Sequence, residues 1–319
     1  MTSLHPITRP SLSATDIKMP RYEHGRNLTC FCQMGNPVLA VFFIFSLLIF
    51  LARAFPSPRQ HDHLVRYFFV HFYNREASIF AHLSNGNDPL SYQTLNSDDA
   101  ILVPSGGTGG VRDPFLVSKV VGKAAGMAWA LKAIWDADAG QYLVYWSSRF
   151  YDADDTAHTG TAMEDHIIYT YTSNFRTFTE ATDYIVIPGT PIIDLTILAL
   201  SDGEYIRFIK NETDLGMWSE HLSGGLFGTW TKIRDGYVNP YMTEGLLAFH
   251  DNEDESRIHL WLDEYGGDTQ VYGYVPQYTN DGGVTWMNGD RANFPTLMKH
   301  GVVVPVNQTQ YGAIKAKWA

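Results

Sequence analysis

From residue 64 onward the chain is a run of short segments suited to pleated sheet, and no stretch of helical period competes with them. LVRYFFVHFY (64–73), YLVYWSS (142–148), HIIYTYTS (166–173), YIRFIKN (205–211) and IHLWLDE (258–264) are rich in β-branched and aromatic residues. Gly, Asn, Asp and Pro separate them, so each segment stops before a helix of useful length could form. Such a pattern specifies an all-β protein.

Repetition narrows the architecture. A hydroxyl residue followed by an aromatic recurs after a turn at Ser91-Tyr92, Thr177-Phe178, Thr229-Trp230 and Thr285-Trp286. The last lies in TNDGGVTW (279–286), which resembles the Asp-box hairpin of β-propellers. The later spacings, 52 and 56 residues, are the size of a four-stranded blade. A second series marks blade starts: RDPFLV at 112, WALKAIWD at 129, IDLTIL at 193, EGLLAF at 244 and HGVVVPV at 300. Five starts imply a five-bladed β-propeller, its ring closed by HGVVVPV pairing with strands at 67–95. One interval is short. Asp113 and Trp129 are 16 residues apart, so blade one, with its inner strand LVSKVVG, is incomplete.

Charge restricts the partners. The net charge is −11 and the pI near 5.5, which argues against nucleic acid, whose binding needs a basic face. A neutral or sugar-like ligand suits a chain that is 14% aromatic. Cys30 and Cys32 stand in the N-terminal stretch, so the fold does not depend on disulfides. VLAVFFIFSLLIFLA (38–52) has the length of a signal h-region, and Ala52-Arg53-Ala54 supplies an A-x-A cleavage site. The expected organisation is a tail plus signal peptide or signal anchor at 1–54, a linker at 55–63 and the propeller at 64–319. Cleavage after Ala54 would secrete the protein, whereas retention of 38–52 would anchor it to a membrane. Sequons occur at Asn27, Asn211 and Asn307.

Gly106–Lys119, GGTGGVRDPFLVSK, has the glycines of a phosphate loop but lacks GK[ST] and a following helix. The glycines fit a tight bend that delivers Asp113. HDH (61–63) reads as linker rather than metal pair, and DADAG (136–140) as a strand–strand turn rather than a calcium loop. The chemistry-bearing residues are the carboxylates at inner-strand starts, Asp113, Asp194 and Glu244. Inner strands of a propeller converge on one mouth, where facing acids raise at least one pKa and give a proton donor beside an ionised base. Asp194 interrupts a buried strand, where a charge is costly without a use or partner.

VRDPF, IIDLT and TEGLL, in this order over residues 64–312, resemble glycoside hydrolase family 43, the five-bladed arabinofuranosidases, arabinanases and xylosidases. The resemblance implies Asp113 as general base, Asp194 as pKa modulator and Glu244 as general acid of an inverting hydrolase. Such a base and acid stand about 6.5–9.5 Å apart. It implies a plant cell-wall oligo- or polysaccharide with arabinofuranosyl or xylosyl linkages, and no required cofactor. His300 matches an axial histidine near which some members hold an ion or water. Trp129, Trp146 and Arg207 are candidate sugar-lining residues. The chain departs from the family pattern at Trp129-Ala130-Leu131-Lys132, where W-A-P-E is usual, at Leu246, where proline is expected, and in the short blade one. These departures keep open a catalytically impaired, sugar-binding propeller.

Overall fold

The computed structural model describes residues 63–73, 76–103, 123–155, 157–201, 203–239, 242–265 and 273–318. Sixteen strands form four antiparallel four-stranded sheets among these residues, a propeller-like arrangement with four blades. The first sheet has the order β16-β1-β2-β3, from β16 (Met298–Asn307), β1 (Leu64–Tyr73), β2 (Glu76–Ser84) and β3 (Tyr92–Thr94). The second runs β4 (Lys123–Asp136), β5 (Gln141–Asp152), β6 (His166–Thr172) and β7 (Thr182–Ile185). The third contains β8 (Ile192–Ser201), β9 (Glu204–Asn211), β10 (Met217–Ser223) and β11 (Thr229–Lys232). The fourth contains β12 (Thr243–His250), β13 (Ile258–Glu264), β14 (Gly273–Thr279) and β15 (Met287–Asn288).

The ring closes as the repeat pattern requires. β16 pairs antiparallel with β1, from Leu64 opposite Asn307 to Tyr73 opposite Met298. The C-terminal strand is thereby the inner strand of the sheet that the N-terminal strands complete, which leaves no long open edge there. The inner strands β4, β8, β12 and β16 touch in that order. The expected inner strand of blade one, with GGTGG, Asp113 and LVSKVVG, lies outside the described residues, as do 38–52, Cys30, Cys32 and Asn27. No helix among the described residues is long and apolar enough to cross a membrane.

Burial follows the alternation of the strands. Tyr67, Phe69, Leu247, Phe249 and Trp261 pack between the first and fourth sheets. Ile206, Phe208, Leu246, Leu260 and Leu262 fill the space between the third and fourth. The hairpin predicted from TNDGGVTW forms around Asp281, which accepts the Thr285 N–H at 2.9 Å and the Thr285 hydroxyl at 2.5 Å. DADAG makes the β4–β5 turn, where Asp136 Oδ1 accepts the Asp138 N–H at 3.0 Å.

The helix α1 (Gln308–Trp318) departs from the all-β expectation. Its start is fixed reciprocally. Asn307 Oδ1 accepts the Gln310 N–H and Gln310 Oε1 accepts the Asn307 N–H, both at 2.9 Å. Ile314 is buried with Leu83, Leu95 and Val306, and Trp318 stacks on Phe68 at 6.0 Å. QTQYGAIKAKW has no apolar stripe to announce this helix. Its stability comes from the cap and from these contacts with the first sheet.

Candidate active site

Each of these inner strands is broken by one residue with left-handed backbone, Ala130 (φ 52°) in the middle of β4 and Asp194 (φ 53°), Gly245 (φ 57°) and His300 (φ 40°) near the starts of theirs. Pairing slips at the same places, between Trp129 and Lys132, between Ile193 and Thr196, between Glu244 and Leu247, and on β1 opposite Lys299–Val302. These are β-bulges, which re-aim side chains and recur beside active sites. A non-glycine residue held there costs about 1–3 kcal/mol unless its surroundings enforce it.

The enforcement is a belt of bonds from blade to blade. The Asp194 N–H donates to Ser147 Oγ at 2.9 Å. Asp194 Oδ2 accepts the Gly245 N–H at 2.7 Å. The Gly245 carbonyl accepts the Tyr274 hydroxyl at 2.9 Å, and that oxygen accepts the Gly301 N–H at 2.6 Å. One level further along β4, Lys132 Nζ contacts Thr196 Oγ1 and the Leu246 carbonyl, joining three blades. The lysine that stands where the family pattern has an acid is thus an internal cation of the inner-strand ring.

Asp194 is 2% exposed and turned toward the backbone of the next blade. Glu244, one residue before Gly245, occupies a second cluster. Its Oε1 lies 3.3 Å from Lys299 Nζ and 3.4 Å from His300 Nε2. Asp263, opposite Glu244 on β13, is fully buried. Its Oδ2 is 3.1 Å from Lys299 Nζ and 3.8 Å from His300 Nε2. Burial pushes the Glu244 carboxyl up, but the hydrogen bond and charge of His300, with Lys299 and Lys210, outweigh it and hold the group down at about 2. Asp263 goes the other way. Burial dominates the opposing charges of Lys299 and His300, and Glu244 adds to it, so its carboxyl is pushed up to about 6. The arrangement keeps Glu244 ionised and gives Asp263 a proton in mildly acidic solution.

Glu244, Asp263 and His300 offer ligand atoms within 4.8 Å of one another. The Lys299 ammonium already supplies positive charge to both carboxylates, which leaves little electrostatic demand for a channel ion near His300.

The sequence-predicted residues are placed as follows. Asp194, Glu244 and His300 come together at the inner-strand bulges. Asp113 lies outside the described residues. Trp129 stands beside the β4 bulge and is 46% exposed. Trp146 is buried with Phe150, Ile168 and Ala181 inside the second sheet. Arg207 is buried in the third sheet, with NH2 2.5 Å from Glu220 Oε2 and its guanidinium 4.0 Å over the Trp230 ring. These contacts make Trp146 and Arg207 packing elements of their blades. Of the sequons, Asn211 is buried, its Nδ2 donating to Asp214 at 3.2 Å.

Asp263 and Lys299 were not singled out by the sequence. Lys299 adjoins His300, but Asp263 reads as an ordinary strand-end acid in IHLWLDE. Only the register of β12 on β13 sets it opposite Glu244. Lys210, in YIRFIKN, likewise turns inward, to Tyr265 Oη at 2.9 Å and Glu212 Oε1 at 2.8 Å.

Comparison with known proteins bears on this geometry. The profile of a family related to glycosyl hydrolase family 43, described as a probable glycosyl hydrolase domain, matches residues 62–124 and 118–312. The chain is similar to an α-L-arabinofuranosidase of Bifidobacterium longum, with 38% identity over 95 residues, 28% of this chain and 9% of the enzyme. Among solved structures it is similar to an endo-arabinase of Bacteroides thetaiotaomicron, with 12% identity, 76% of this chain and 94% of that one covered, and a TM-score of 0.43. An exo-β-1,3-galactanase of Clostridium thermocellum aligns at 13% identity and a TM-score of 0.38, covering 75% of this chain and 49% of the galactanase. The chain therefore spans a tenth of the arabinofuranosidase and about half of the galactanase.

Proposed function

We propose that this chain, which belongs to the family of probable glycosyl hydrolase domains related to family 43, is an inverting glycoside hydrolase acting on arabinofuranosyl or xylosyl linkages of cell-wall polysaccharide. The observation that carries the reading is the meeting of two motif acids. Asp194 and Glu244 come from neighbouring blades to adjacent bulges, and the Gly245 N–H joins them to Asp194 Oδ2 at 2.7 Å. In the proposed reaction a water attacks the anomeric carbon and gives its proton to Asp113. The glycosidic C–O bond breaks, and the leaving oxygen takes a proton from Glu244. Asp194 holds the β12 bulge and thereby the direction of Glu244.

Glu244 must carry a proton to act, and Lys299 and His300 favour its ionised form. A carboxyl held down at about 2 is protonated only in acid, so an acidic optimum is the expected profile of an active enzyme. The same electrostatics support the second reading, a propeller that binds sugar without turnover. So does the profile match, which falls into two pieces overlapping at 118–124, where blade one is short in sequence. A five-bladed propeller with blade one incomplete is the architecture we infer from the short Asp113–Trp129 interval and the two-piece match.

Glu244→Gln and Asp113→Asn should each abolish turnover of an aryl α-L-arabinofuranoside, and undiminished turnover in either sinks the assignment. No turnover by the unaltered chain at high concentration, with retained oligosaccharide binding, supports the second reading. Secretion with cleavage after Ala54 is part of the proposal. Sequencing of the mature N-terminus should begin at Phe55, and retention of 38–52 would instead make this a membrane-anchored protein.

A further inference from the structure

The last two residues of β9 face opposite ways, as strand alternation requires. Lys210 turns inward to Tyr265. Asn211 turns outward into a separate cavity of about 410 Å³, shared with Thr190, Trp218, Glu220, Lys232 and Tyr237. The cavity lies at the end of the third sheet where β8 begins, because Asn211 is the register partner of Ile192, two residues before Asp194.

The cavity is built rather than incidental. The Tyr237 ring lies so close to Gly216 that a Cβ there would meet it at 2.5 Å, so only glycine lets the ring seat. The Tyr237 hydroxyl is held by Asp214 and lies 3.4 Å from Asn211 Nδ2. The Trp218 indole donates to Glu220 Oε1 at 2.9 Å, and Arg207 Nε donates to Glu220 Oε2 at 2.6 Å. The Glu220 charge is thereby compensated within the wall. Lys232 lies 5.3 Å over the Trp218 ring and pairs with no carboxylate among the described residues. Two aromatic side chains therefore stand with an amide, a hydroxyl and an ammonium around a volume in the range of small-molecule sites. Aromatic faces take the C–H face of a pyranose or furanose ring, and the polar groups match its hydroxyls.

We propose that this cavity is a distal subsite for a neutral glycosyl unit of an oligosaccharide whose other end lies at the inner-strand mouth. The proposal rests on the glycoside-hydrolase reading and adds a second contact that a one-unit ligand cannot reach. Its consequence is chain-length dependence. A pentasaccharide spanning both places gains affinity by effective concentration, while a monosaccharide does not.

The test is titration calorimetry on the full chain with linear α-1,5-arabinopentaose, xylopentaose and arabinose. Lys232→Ala removes an exposed cavity group and Tyr237→Ala a half-buried one, and far-UV dichroism with thermal melting establishes folding. Trp218→Phe, which keeps an aromatic ring in the wall but removes the indole N–H, is the second variant should Tyr237→Ala not fold. We expect at least one pentasaccharide to bind the unaltered chain at least tenfold more tightly than arabinose. Each folded variant should lose five-fold or more of the pentasaccharide affinity and none of the arabinose affinity. Equal pentasaccharide affinity in folded variants and unaltered chain overturns the subsite, as does a strict requirement for a uronate-bearing oligosaccharide. The two readings fail separately. Turnover of aryl arabinofuranoside with insensitive variants removes the subsite alone, whereas variant-sensitive pentasaccharide binding without turnover removes the catalytic reading alone.

Discussion

Replacing Lys299 with methionine tests the electrostatic account of the mouth. The Lys299 ammonium lies 3.3 Å from Glu244 and 3.1 Å from the fully buried Asp263. At these separations each attraction is about 5 kcal/mol at an effective dielectric constant near 20, most of it offset by desolvation. Removing one partner of a buried pair typically costs about 3–5 kcal/mol. Here the cost depends on pH. The Asp263 carboxyl is raised above its unfolded value, so the folded state holds a proton that the unfolded state has lost. Its contribution is present at low pH and is lost as pH rises through about 6. Without Lys299 that loss extends to higher pH. Above pH 6 the stability gap between the two proteins should therefore widen by about 1.4 kcal/mol per pH unit until Asp263 of the variant ionises. Urea unfolding at pH 5 and pH 8 measures it, with Lys299→Arg as the charge-preserving control. Equal destabilisation at both pH values would refute the reasoning.

Other consequences are as direct. His71 Nε2 and His82 Nδ1 are 3.0 Å apart in the first sheet, and burial lowers both rings, to about 3 and about 4, with His82 lowering His71 further and Asp98 opposing the shift of His82. Unfolding lets them take protons below pH 6.5, so stability should fall from there toward pH 3–4 by up to about 1.4 kcal/mol per unit for each ring. The double substitution His71→Phe/His82→Leu should flatten that dependence in the same urea measurement, and an unchanged slope would exclude the pair as its source. Gly245→Ala forces a Cβ at φ 57° to within 2.8 Å of the His300 ring and should destabilise by about 1–3 kcal/mol, read as a lower melting temperature. Ser147→Ala removes the acceptor of the buried Asp194 N–H and should cost about 1–3 kcal/mol by the same assay.

The all-β class, the ring closure by the C-terminal strand and the inner-strand starts near 193, 244 and 300 were legible in the sequence, whereas β4 begins at Lys123, six residues before the start read at Trp129. Alternation and spacing are local properties that any sheet of this kind must display. HGVVVPV could be matched to LVRYFFVHFY because an inner strand without partners in its own stretch needs distant ones. Asp194 stood out because a carboxylate in IIDLTIL breaks an apolar run. Helix α1 was not legible, since its stability comes from an Asn307–Gln310 cap and from Trp318 on Phe68 rather than from a stripe of its own.

Trp146 and Arg207 show the limit from the other side. An aromatic or a cation in a strand can face a ligand or a neighbouring sheet with equal sequence logic. What the sequence by itself determined is which residues are strand, which strand starts carry acids, and which motif order they follow. What only the tertiary structure decided is the state of those acids. Lys299 and His300, 36 or more positions beyond Asp263 in the chain, help hold Glu244 ionised, whereas burial makes Asp263 protonatable against their opposing charges. A pKa is set by charges and solvent within a few ångströms, and those neighbours exist only once blades from distant segments have closed into a ring.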